Sequence, residues 1–223
     1  DEALNAVVIM ILFTCIISTV VTDYASRTIV LREKSQRKMP EDDGKADDEK
    51  ILIPVKYPET CDTLLNMAML MRNEKLSRGL IALNVVYDDL DATYNQQEGQ
   101  RLLEQIEKKA AAADVQVQTQ VRLATNIANG IKHAFKEYDA SEIILGQHIH
   151  DNSTRRFWGQ FAQSLFNGLN RQIIIARCTI PLNTIRVFHV AVPSRAEYEP
   201  GFYRWLERVS RMVTRLGCRI LFH

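Results

Sequence analysis

Between residues 51 and 178 five short apolar runs alternate with four amphipathic stretches, and this alternation leaves few folds open. The runs are residues 51–55, 80–87, 115–121, 141–146 and 172–178. Each is long enough for a strand and too short for a buried helix. The first intervening stretch can be capped by Thr60 or Asp62, and it places Leu64, Leu65, Ala68 and Met71 on one helical face. The next, residues 96–113, does the same with Leu102, Leu103 and Ile106. Residues 126–138 follow with Ile127, Ile131, Ala134 and Phe135, and a fourth helix is expected over 160–169. Strands separated by helices need crossover connections, which are right-handed, so the expectation is an α/β fold: a five-stranded parallel sheet with helices on both faces. Val115, Val117, Thr119 and Val121 alternate with polar residues, the pattern of an edge strand.

In such a sheet ligands collect where a strand's carboxyl end meets a helix amino end, because free backbone N–H groups there attract anions. The stretch Ser141-Glu142-Ile143-Ile144-Leu145-Gly146-Gln147-His148 is an apolar strand ending in glycine. A polar loop runs on to Trp158, and Gly159 is expected to open the fourth helix. Within that loop Ser153, Thr154, Arg155 and Arg156 have the hydroxyls and guanidinium forks that suit phosphate, and are equally ordinary surface residues. His148 and His150 stand two apart beside Asp151, a spacing that can chelate a metal in extended backbone; with no further cluster nearby the expected reading is a solvated loop and no metal. Phe157, Trp158 and Phe161 are expected to pack in the core. No nucleophile elbow, Walker loop or catalytic carboxylate pair is present, so this chain reads as a binding module and not an enzyme.

Composition narrows the partners. Twenty-eight Lys and Arg balance 27 Asp and Glu, for a net charge of +1, which gives no footprint for nucleic acid. The four cysteines, Cys15, Cys61, Cys178 and Cys218, have no metal-site spacing and are expected as reduced thiols.

Residues 6–21 carry no charge, close to the roughly 17–25 residues that cross a bilayer, and Arg27, Arg32, Lys34, Arg37 and Lys38 follow. Basic residues gather on the cytoplasmic side, so a spanning helix with basic flank is expected over 1–38, with the chain after about Arg27 cytoplasmic. Asp1 in place of an initiator Met suggests a piece of something longer. Residues 39–50 are acidic, punctuated by Pro40 and Gly44, and read as a linker. After the domain at 51–179 the pattern restarts: Val187-Phe-His-Val-Ala-Val-Pro193 ends an apolar run at proline, as Ile51-Leu-Ile-Pro54 does. A helix with Trp205, Leu206, Val209, Met212 and Val213 on one face leads to another apolar run at 218–222. Residues 180–223 therefore read as an incomplete second unit whose two strands pair in parallel and whose apolar stripe must pack on something.

In element order, and in the Ile-Leu-Gly that ends the fourth strand, residues 51–179 resemble the universal stress protein domain, a fold shared with adenine-nucleotide alpha hydrolases. With the apolar span, the basic flank and the tandem start, the chain resembles the carboxyl-terminal part of bacterial monovalent cation:proton antiporters of the second cation/proton antiporter family. That resemblance implies a regulatory domain, in the bacterial inner membrane's cytoplasmic face, joined to a Na⁺ or K⁺/H⁺ exchange domain in the same chain and forming a homodimer. Nucleotide-binding stress proteins carry a glycine-rich phosphate loop after strand four. Gly146 and Gly159 match its first and last glycines; Ile149 stands at the second, Gln160 replaces a hydroxyl residue, and Lys56 replaces the acidic residue after strand one. The ligand-binding residues implied are Lys56, Tyr57, Gly146, Gln147, His148, Arg155, Arg156, Gly159 and Gln160, around an adenine nucleotide or another anion. Two other readings stay open: a stand-alone or singly anchored nucleotide-binding stress protein, and a dimerisation module without ligand.

Overall fold

The computed structural model describes residue 10 and residues 49–75, 79–147, 154–167, 169 and 171–223. Apart from residue 10, the expected membrane helix at 6–21, its basic flank and most of the acidic linker lie outside the described residues. Among the described residues, no helix is long and apolar enough to cross a membrane. The chain divides into two compact units, Asp1–Ala46 with Arg195–Pro200, and Asp47–Ser194 with Gly201–His223. In the first, the described secondary structure beyond residue 10 is the 3₁₀ turn Ala196–Tyr198.

The second unit holds a five-stranded parallel sheet in the order β3-β2-β1-β4-β5. Its strands are β1 Ile51–Pro54, β2 Leu80–Tyr87, β3 Val117–Ala124, β4 Glu142–Gly146 and β5 Gln172–Ala176. Between them run α1 Pro58–Met71, α2 Ala92–Ala112, α3 Ile127–Glu137 and α4 Thr154–Phe166. Alternate strand residues serve opposite faces. Ile51, Ile53 and Ile144 meet Leu64, Leu65, Leu103 and Ile106 of α1 and α2 on one side. Leu52, Ile143 and Leu145 meet Ile131, Phe135 and Leu165 of α3 and α4 on the other. β2, buried on both faces, is a continuous apolar run but for Asn84, whereas the edge strand β3 alternates.

Several boundaries differ from the expectation: β3 lies at Val117–Ala124 and not 115–121, α2 starts at Ala92 and not 96, and two helix starts shift for local reasons. α1 starts at Pro58, whose locked φ and missing N–H suit the first helical position; Thr60 and Asp62 lie inside the helix, and the Thr60 hydroxyl donates back to the Tyr57 carbonyl at 3.1 Å. α4 starts at Thr154, so Gly159 sits in its second turn and does not open it. A glycine costs a helix only about 1 kcal/mol, less than tertiary packing supplies, and read as punctuation it misplaced the helix start.

After a 3₁₀ turn at Leu182–Thr184 come β6 Val187–Val190, α5 Phe202–Leu216 and β7 Arg219–Phe222. β6 and β7 pair in parallel, Val187 opposite Arg219 through Val190 opposite Phe222. The stripe of α5 is covered unevenly: Met212 is buried in the core shared with α1 and α2 and Val213 is buried too, while Phe202, Trp205, Leu206 and Val209 remain half-buried. Packing alone does not hold this helix. Arg208, 1% exposed, pairs with Glu142 at the start of β4 and with Glu49 just before β1. Burial raises the Glu142 carboxyl above its usual range; the Arg208 guanidinium opposes this and the Glu49 charge adds to it.

Candidate functional site

The order β3-β2-β1-β4-β5 puts the topological switch between β1 and β4, where crossovers leave in opposite directions and open a crevice beyond the strands' carboxyl ends. A cavity of about 350 Å³ lies there, within the range of small-molecule sites. Pro54 and Val55 at the end of β1 and Leu145 and Gly146 at the end of β4 form its base. Leu64 of α1, Ile127 and Ile131 of α3, and Phe161 of α4 wall it in. Lys56, Tyr57 and Gln147 stand at its lip.

The backbone at the base is fixed. Val55 N–H donates to the Leu83 carbonyl at 2.8 Å, and Gln147 N–H donates to the Ala176 carbonyl at 2.8 Å. These bonds carry the ladders one residue past β1 and β4. Gly146 keeps the mouth open toward α1: a Cβ there would stand 3.0 Å from Leu64 Cδ1. Gly159 is exposed and a Cβ on it would meet nothing within 4 Å, so its role is not close packing.

The polarity of the site is one-sided. Lys56 is exposed with its Nζ 5.6 Å from the Tyr57 ring centroid, within the range of a cation–π contact, and no carboxylate lines the cavity among the described residues. The amino end of α1 adds partial positive charge beside it. The arrangement suits a ligand with an apolar or aromatic part to bury and an anionic part to leave at the lip.

Of the residues expected at a ligand site, Lys56, Tyr57, Gly146, Gln147 and Gly159 line this one cavity. His148 falls outside the described residues, as do His150, Asp151 and Ser153. Arg155, Arg156 and Gln160 lie along α4, and their side chains are outside the described part. Phe161 packs against the core, as expected, and also forms a wall of the cavity. The apolar wall residues went unmarked in sequence because their helical spacing announces core, and the same face of α3 serves both purposes. Two wider grooves of about 980 and 770 Å³ lie elsewhere, the first along the amino-terminal ends of β2 and β3, where the strand-end argument does not apply. Cys61, Cys178 and Cys218 are free thiols.

No protein-family model matches the sequence, and no curated protein matches it. Solved structures do. A protein of the universal stress protein family from Burkholderia pseudomallei is 16% identical, with 59% of this chain and 98% of that one covered and a TM-score of 0.46. Universal stress protein UspA from Lactobacillus plantarum is 17% identical over 60% of this chain and all of its own (100%), with a TM-score of 0.48. The universal stress protein from Archaeoglobus fulgidus in complex with dAMP is 14% identical over 57% of this chain and 96% of its own, with a TM-score of 0.41. These are likenesses of outline at low identity, and the dAMP belongs to that protein.

Proposed function

We propose that residues 51–179 are a ligand-sensing domain of universal stress protein type, binding an adenine nucleotide or a similar molecule with a flat apolar part and an anionic tail. The observation that carries this reading is the apolar cavity at the carboxyl ends of β1 and β4 with Lys56 at its lip and no carboxylate in its described lining. Titration calorimetry of the chain with AMP, ATP and cyclic dinucleotides tests it. Micromolar binding that weakens about tenfold in Lys56→Ala is the expected result, since one lost charge-assisted contact is worth about that much. No heat with any of them overturns the nucleotide reading.

In this proposal the domain is regulatory and not enzymatic, and it works for a Na⁺ or K⁺/H⁺ antiporter domain of the same chain in a bacterial inner membrane. The uncharged residues 6–21 and the basic residues after them support a membrane attachment with this domain in the cytoplasm. The parallel β6-α5-β7 arrangement supports reading residues 180–223 as the start of a second such unit. Cation-driven proton flux in everted vesicles is the test. Loss of residues 49–223 should alter how exchange responds to conditions and leave exchange itself in place; flux indifferent to their loss removes the regulatory reading.

A second reading, pairing of two copies through β5, is favoured by one observation. β5 bonds only to β4 in the described sheet and presents Ile175, 41% exposed, on that edge strand.

A further inference from the structure

α5 carries arginines at 208, 211 and 215, and all three reach into the sheet domain. Arg208 Nε donates to Glu142 Oε1 at 2.8 Å, and its Nη1 pairs with Glu49 Oε1. Arg211 Nη1 donates to both Glu49 oxygens, at 2.8 and 2.9 Å, and Arg211 also pairs with Glu207 on its own helix. Arg215 Nη2 donates to the Arg72 carbonyl at 2.9 Å and pairs with Glu74, while its Nη1 donates to the Met69 carbonyl. The carbonyls at Met69 and Arg72 belong to the end of α1, where intrahelical donors run out.

Glu49 is the knot. Besides the two arginines it accepts the backbone N–H of Asn73 at 3.0 Å, so it ties together the loop after α1, helix α5 and the residue that leads into β1. The cluster is not fully satisfied: Arg208 Nη2 and Glu142 Oε2 are buried without a hydrogen-bond partner. Buried charges of this kind add little net stability while intact, and removing one partner strands the others. The fully buried apolar residues of α5, Met212 and Val213, lie in its carboxyl half, and Phe202, Trp205, Leu206 and Val209 are only half-buried. Losing one member of the cluster therefore costs the docked helix more than the intact cluster contributes.

We propose that α5, with β6 and β7, is a latch that opens as a unit from an otherwise intact sheet domain, and that Glu49 and Glu142 closing on Arg208 are its lock. The lock lies among Glu49, Glu142 and Arg208, none of which lines the cavity at the carboxyl ends of β1 and β4.

Native-state hydrogen exchange on the 223-residue chain at low denaturant tests it. In the unaltered protein, amides of residues 202–216 should exchange through an opening of their own, well before those of β2 and α2. Exchange of 202–216 only together with β2 overturns the proposal, and this measurement needs no variant. In Glu49→Gln, exchange over 202–216 should rise by about 100-fold or more, with β2 and α2 unchanged. An unaltered α5, or equal loosening of α5 and β2, would show that the cluster is an ordinary part of one cooperative core.

Discussion

Asn84 Nδ2 donates to the Val55 carbonyl at 2.8 Å, and the amide side chain that does so is accommodated by Gly99 on α2. Asn84 is the polar interruption in an otherwise apolar central strand, and it satisfies a carbonyl at the base of the cavity that lies beyond the end of β1. A Cβ on Gly99 would come within 2.4 Å of Asn84 Oδ1 and 2.9 Å of its Cγ. Gly99→Ala is therefore expected to destabilise by about 1–3 kcal/mol, read from urea melts, and to shift the Val55 and Asn84 amide resonances. An unchanged melt would mean that α2 moves away at no cost.

Cys61 gives a pH-dependent prediction. Burial pushes its thiol from 9.0 up to about 12, the nearby charges of Asp62 and Glu59 add to the rise, and Lys109 opposes it. The folded value lies above the unfolded one, so the associated stability is fully present below about pH 9 and is lost as pH climbs toward 12. Urea midpoints should fall through that window, and less steeply in Cys61→Ser. Iodoacetamide at pH 8 should label Cys61 only after unfolding.

Pairing through β5 calls for a choice of probe that the burial pattern makes. Ile174 packs against the core shared with α1, whereas Ile175 is partly exposed. Ile175→Lys should leave the melt within about 0.5 kcal/mol of the parent and give monomers by light scattering where the parent gives dimers. Ile174→Lys should instead lose about 1–3 kcal/mol, because a charge there would displace half-buried packing against that core. Dimers that survive Ile175→Lys would place the interface elsewhere.

At the mouth, space and charge can be separated. Gly146→Val would fill the gap toward Leu64 and should abolish binding of nucleosides and nucleotides alike, at about 1–2 kcal/mol of stability. Lys56→Ala should weaken nucleotides and spare the neutral nucleoside. Equal losses for both ligands in Lys56→Ala would assign that residue to packing on Tyr57 and not to an anion.

How much of this was legible in sequence follows from which residues carry a local signal. Leu80–Tyr87 reads as a strand because seven of its residues are buried on both faces, and the spacing of Ile131, Ala134 and Phe135 gives α3 without help from tertiary structure. Lys56, Tyr57, Gly146 and Gln147, which the resemblance implied, line the cavity because they stand at or just past the carboxyl ends of β1 and β4. The lock could not be read from sequence. Glu49 reads as the tail of an acidic linker, Glu142 as a polar residue opening a strand, and Arg208 as the solvated side of an amphipathic helix. Charged side chains are almost never fully buried unless paired, and nothing in the spacing of residues 49, 142 and 208 says that they meet.

That distance along the chain has a consequence for synthesis. Glu49 and Arg211 are separated by 162 residues, so Glu49 leaves the ribosome long before its guanidinium partners exist. The strands and helices up to Ala176 can collapse vectorially while the carboxylates of Glu49 and Glu142 wait in water, free of any desolvation cost. Contacts of such long range close late, and here the closing step takes charged groups out of solvent. The nascent domain thus keeps a hydrated, negatively charged base until α5 emerges, which would keep that end soluble and unpaired during the slowest part of its birth.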